Sequence, residues 1–191
     1  MYNETISTII GFVAMLFAMS SYFVRKKSSF LIAQAGAILS LAFSCLFIVQ
    51  YYAVASYFLA LIRVGVFYLF ERKEKKVPIL MILLFVILYV VFYYIVNVVI
   101  LNQFNRLDVV LLIANILLTV AFSIRNLILL RYIFLIPLIM ILTYFCLMTD
   151  SSLFIKISYA FEIVASAVAI VINSKFIYRL TERKKERQNN S

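Results

Sequence analysis

Long apolar runs alternate with short polar breaks along the whole chain, and seven of those runs approach the length of a bilayer crossing. A hydrocarbon core about 30 Å thick takes roughly 20 helical residues at about 1.5 Å rise each. By that measure the pattern predicts spans near Thr5 to Val24, Phe30 to Val49, Ala53 to Phe70, Val77 to Leu101, Val109 to Ile124, Leu127 to Met148 and Leu153 to Ser174. The fifth is the shortest. In hydrocarbon every backbone amide must be satisfied within its own segment, so helices are the expected form. The sequence lacks the alternating ten-residue segments of an outer-membrane barrel. The predicted class is an all-α polytopic membrane protein with one transmembrane domain over 1–174 and a basic tail over 175–191.

The polar breaks are not equivalent. Fifteen of the 18 Lys and Arg residues gather in four clusters, Arg25 to Lys27, Arg72 to Lys76, Arg125 with Arg131, and Lys175 to Arg187, at every second break. The positive-inside rule puts those breaks in the cytoplasm. Seven crossings then place the N-terminus outside and the C-terminus inside, and an even count would break the agreement. The first run follows Glu4 with no cation ahead of it and is too long for a signal-peptide core, so it is read as a retained helix.

A shift of about 100 residues lays the first three spans (5–70) over the last three (109–174), with 77–101 as a linker helix. Arg25 then falls on Arg125, Ala14 on Ala114, the Gln50 turn on the Asp150 turn, and Arg63 one place from the partner of Glu162. With an odd helix between them the triplets run parallel, a 3+1+3 pseudo-repeat like those of some transporters.

Composition and charge narrow the function classes. At 66% hydrophobic and 14% charged residues the chain is far more apolar than a soluble globule, where the apolar share is about 45–50%. The net charge of +10 reports topology, because the cations cap helix ends rather than forming one basic face; no nucleic-acid partner is expected. The tail cations suit anionic lipid. With no His, no Cys pair at metal spacing and only three glycines, no cofactor, no metal and no enzymatic activity are expected. Cys45 and Cys146 read as small hydrophobes within apolar runs.

Charged residues deep in a span are the informative ones, since each costs about 2.5–3.5 kcal/mol to insert and so faces protein or water. Arg63 and Glu162 sit near mid-span in the third and seventh runs. If the halves are related by a twofold axis these spans face one another, and an Arg63–Glu162 pair follows. It reads either as an ion pair locking the halves or as a charged site at the floor of a central cavity. Helical spacing puts Tyr159, Ser166 and Asn173 on the face of Glu162, and Asp108, Asn115, Thr119 and Ser123 in a second polar stripe on span five. Arg63, Glu162, Asn115, Ser166, Asn173 and Thr119 are therefore the candidate binding residues for a small polar solute. Spans one and two instead carry small faces, Ser7, Gly11, Ala14, Ala18, Ser21 and Ala33, Ala37, Ser40, Ser44, suited to close helix packing rather than to lining a pore; an oligomer is also open to such a chain. Pro137 is expected to bend span six, Tyr51, Tyr52 and Tyr57 to mark the outer interface, and Gln34 to be uninformative.

The stretches Gly11 to Phe23 (GFVAMLFAMSSYF) and Ala55 to Arg63 (ASYFLALIR), with the turn Arg25 to Lys27, resemble the YgjV-type bacterial inner-membrane proteins. Those are distantly similar to the SWEET and PQ-loop seven-helix carriers. The resemblance implies a parallel-repeat fold, a place in the bacterial cytoplasmic membrane and transport of a small polar solute; the alternative is a non-transport protein that assembles with or regulates a membrane partner. Two departures restrict what carries over. Ala60 stands where the YgjV-like pattern has an Asn three residues before the span-three Arg, and the chain has no Pro-Gln pair. A sugar substrate is accordingly not implied, and Arg63 is the residue that transfers.

Overall fold

A computed structural model describes residues 2–47, 51–100, 106–148 and 153–189, with side chains over 5–47, 53–97, 99, 107–148, 153 and 155–172. It is all-helical, with no strand among the described residues: α1 (Tyr2–Phe23), α2 (Lys27–Phe47), α3 (Tyr51–Arg72), α4 (Ile79–Tyr94), α5 (Arg106–Ser123), α6 (Leu127–Leu147) and α7 (Leu153–Asn189). Six of them are long and apolar enough to cross a membrane, and α5 is a shorter apolar helix, as its run is in the sequence.

Local chemistry sets the boundaries. Pro78 is extended and starts α4, and the Asn126 side chain accepts hydrogen bonds from the amides of Ile128 (2.9 Å) and Leu129 (3.3 Å) to cap α6. The turn after α3 is closed at Glu74, whose φ of 54° lies in the left-handed region. The expected run Val77 to Leu101 is not one uniform helix: Ile95–Ile100 is a π-helical segment continuing α4. Its wider turn is invisible to a hydrophobicity pattern. Pro137 lies inside α6, which continues through it.

Neighbouring helices make a closed ring in the order α1, α2, α3, α5, α6, α7, with α7 returning to α1. Helix α4 stands outside the ring, against α3 and α5, and buries only Phe85, Tyr89 and Tyr93. The core inside the ring is aromatic, with Phe30 meeting Tyr22 and Phe134 edge-on at centroid separations of 6.1 and 5.8 Å.

The small-residue faces are used within the chain. Ser7 and Ser44 clasp α1 to α2, hydroxyl to hydroxyl at 2.8 Å and each to the other's carbonyl, while Ala14, Ala18 and Ser21 are buried. Gly36 of α2 faces Phe17: a β-carbon there would stand 2.8 Å from the Phe17 ring, whereas one at Gly65 would meet nothing within 4 Å. Gly65→Ala should therefore leave the melting temperature unchanged or raise it, by up to about 1 kcal/mol of helix propensity. Gly36→Ala should melt below Gly65→Ala because the ring must turn aside, and thermal unfolding of the two variants reads the difference.

At the ends of α1, α3 and α5 the cationic turns converge. Lys27 pairs with Glu71 at 3.3 Å, Arg125 donates to the Glu74 carbonyl at 2.8 Å, and Arg131 donates to the carbonyls of Tyr22 and Val24, both at 2.9 Å. Arg131 is buried, and its partners are carbonyls at the end of α1, the negative pole of that helix. The basic segment 175–187 continues α7 as helix; its side chains, like those of Tyr51 and Tyr52, lie outside the described residues.

Candidate functional site

Inside the ring lies a cavity of about 30 Å³, room for one or two waters. Its apolar wall includes Ile38, Leu41, Leu111 and Leu138, and its polar lining comes from Gln34, Tyr57, Arg63, Asn115, Tyr159 and Glu162. Residues from α2, α3, α5, α6 and α7 thus meet at one point.

Arg63 enters from α3 and is 0% exposed. Nη1 donates to the Asn115 carbonyl (2.8 Å) and to Thr119 Oγ1 (2.9 Å). The Thr119 hydroxyl in turn donates to the same carbonyl at 2.8 Å, so that one turn of α5 fixes one end of the guanidinium. The rings of Tyr89 and Phe122 lie 5.4 and 5.1 Å from Cζ, within cation–π range. Nε and Nη2 are buried without a hydrogen-bond partner. A buried donor left in that state costs about 1–3 kcal/mol, and more when charged.

Glu162 enters from α7 and is also buried. Its Oε1 accepts from Gln34 Nε2 (3.0 Å) and Tyr22 Oη (3.2 Å), and Gln34 also donates to Ser21 Oγ at 3.1 Å. A second polar link crosses the cavity wall, where the Tyr57 and Tyr159 hydroxyls stand 2.7 Å apart.

The structure brings Arg63, Glu162 and Asn115 to one cavity, and Thr119 and Ser166 are buried beside them. The Asn173 side chain lies outside the described residues. The expected Arg63–Glu162 ion pair is not formed: the hydrogen bonds that each group makes go to other partners. Asn115 also acts differently from expectation. Its side-chain amide donates to the Leu111 carbonyl at 3.0 Å, one turn back, and its backbone carbonyl is what holds Arg63.

Several site residues escaped the sequence reading. Gln34 carried no signal on its own, yet it is the direct partner of Glu162. Tyr57, expected at the outer interface, is 5% exposed and lines the cavity, because it lies nearly two turns into α3 on the inward face. Its place on the face of Ala53, Ala60, Val64 and Phe67, at spacings of three, four and seven, is the signal that points inward. Asp108, the first member of the span-five stripe, accepts from Tyr144 Oη at 3.0 Å and serves to join α5 to α6.

Compared with known proteins, the chain matches no family model, no curated protein and no solved structure.

Proposed function

We propose that this chain is a carrier or facilitator of small polar solutes in a bacterial cytoplasmic membrane, with its binding site in the central cavity. The observation that carries the reading is that Arg63 and Glu162 line one cavity without pairing, and that Arg63 keeps two buried donors free. A lock between the halves would place the guanidinium on the carboxylate. Buried charges are costly, and groups of opposite sign that share a cavity without meeting suit a polar ligand better than stability.

The same proposal takes all seven helices as crossings, N-terminus outside and basic C-terminus in the cytoplasm. The meeting of the first three cationic turns at one end of the bundle supports that orientation. The ring supports a parallel 3+1+3 relation: the α1–α7 and α5–α3 seams correspond when each triplet is laid on the other, with α4 as the linker. This arrangement is what the YgjV-type resemblance implies. The partner-assembly alternative rested on the small-residue faces of α1 and α2, which are largely occupied within the chain.

At about 30 Å³ the cavity has room for a few heavy atoms at most, so passage of a solute requires the triplets to part. Reconstituted vesicles shrunk by a hypertonic polar solute should re-swell faster with the protein than without it for at least one solute class. Equal rates with polyols, sugars, amino acids and organic acids alike would remove the carrier reading.

A further inference from the structure

We infer that the solute taken by this cavity is a short-chain monocarboxylate, held by the Nε and Nη2 edge of Arg63; the inference rests on the carrier reading and names its substrate class. A guanidinium offers two forks, one between its terminal nitrogens and one along its side, where Nε–H and an Nη2–H point the same way. Arg63 spends Nη1 on the Asn115 carbonyl and Thr119, which removes the terminal fork. The two atoms left without partners, Nε and Nη2, are the members of the side fork. Two parallel N–H groups match the two oxygens of one carboxylate, the arrangement that makes arginine selective for planar bidentate anions.

The surroundings restrict the ligand further. The rings of Tyr89 and Phe122 lie within cation–π range of the guanidinium, and Nε and Nη2 are fully buried, so an acceptor reaches them when the lining around Arg63 parts. The cavity lining includes Leu111, Leu118 and Leu138, a wall that suits a methyl group. The volume of about 30 Å³ favours one or two carbons over a longer chain. Among the described residues no carboxylate pairs with Arg63, so its charge is available to an incoming anion. Glu162 faces the same cavity and opposes a second negative charge there unless it carries a proton. Glu162→Gln, whose amide oxygen still accepts from Gln34 and Tyr22, should therefore bind the anion more tightly than the native protein.

Calorimetric titration of the detergent-purified chain with sodium formate and sodium acetate tests this, with sodium chloride at matched ionic strength, glycerol and sodium octanoate as comparisons. Saturable binding of formate and acetate is expected, absent with chloride and glycerol, weakened at least tenfold in Arg63→Lys, which keeps the charge but loses the fork, and tightened in Glu162→Gln, which removes the opposing charge. If Arg63→Lys does not fold, competition between formate and acetate for one site in the native protein, unaffected by chloride, carries the same weight. Binding of glycerol but not of acetate would overturn the carboxylate and leave the carrier. Tighter binding of octanoate would make the ligand a membrane fatty acid and overturn the short-chain assignment, as a tenfold loss in Glu162→Gln would overturn the anion. No binding of any probe, together with no re-swelling of vesicles, would overturn both the ligand and the carrier.

Discussion

Arg63→Met should keep the bundle folded, with a melting temperature equal to or above that of the native chain, while solute binding falls at least about 100-fold. The two halves of this expectation come from different atoms. Binding loses two charge-assisted hydrogen bonds from Nε and Nη2, each worth about 1.5–3 kcal/mol, and about 2.7 kcal/mol already amounts to 100-fold. Stability loses the anchors on Asn115 and Thr119 but sheds an unpaired charge and two unsatisfied donors. Replacing buried ionic groups with apolar ones of similar size is often neutral, or stabilising by about 1–4 kcal/mol. Thr119 keeps its bond to the Asn115 carbonyl, so the variant strands no new donor on α5. Thermal unfolding beside a binding titration separates the two effects. A fall of about 3–5 kcal/mol in stability would instead mark Arg63 as a structural lock.

Arg131→Ala is expected to act in the opposite way, lowering stability by about 2–3 kcal/mol through loss of its charge-assisted bonds and leaving the cavity chemistry in place. The Arg131 side chain from α6 donates to the Tyr22 and Val24 carbonyls at the end of α1, joining helices that are distant in sequence. Without it these carbonyls lose a buried, charged donor at the negative end of the helix. Arg131→Lys should recover only part of the loss, because one ammonium at the end of a flexible stem reproduces the guanidinium poorly. Equal melting temperatures for the native chain and Arg131→Ala would show that water replaces the contact without cost.

The helices were legible because a run of about 20 apolar residues has few other ways to satisfy its backbone in hydrocarbon. The depth of Arg63 and Glu162 was legible for a related reason, since position along a span sets the cost of a charge. Their partners were not. Which residue meets Glu162 depends on how α2 and α7 are rotated about their axes, and Gln34 carries no trace of that in its neighbours. The hold of Asn115 on Arg63 passes through a main-chain carbonyl, which every residue possesses, so the side chain that drew notice was not the group in contact. Arg131 counted as one more cation in a turn, and nothing in its charge distinguished a topological signal from a buried helix cap. The π-helical segment after Tyr94 likewise follows an apolar pattern no different from that of the helix before it.

Helix α4 ties the lipid to the cationic centre. It has the highest mean hydropathy of the candidate spans, 3.0, and most of its surface lies away from the ring, so acyl chains are its main neighbours. One of its three buried side chains, Tyr89, covers the Arg63 guanidinium. On the proposed carboxylate reading, a thinner or stiffer bilayer that tilts α4 would move that ring across the charge, and membrane thickness would set how tightly the centre holds an anion.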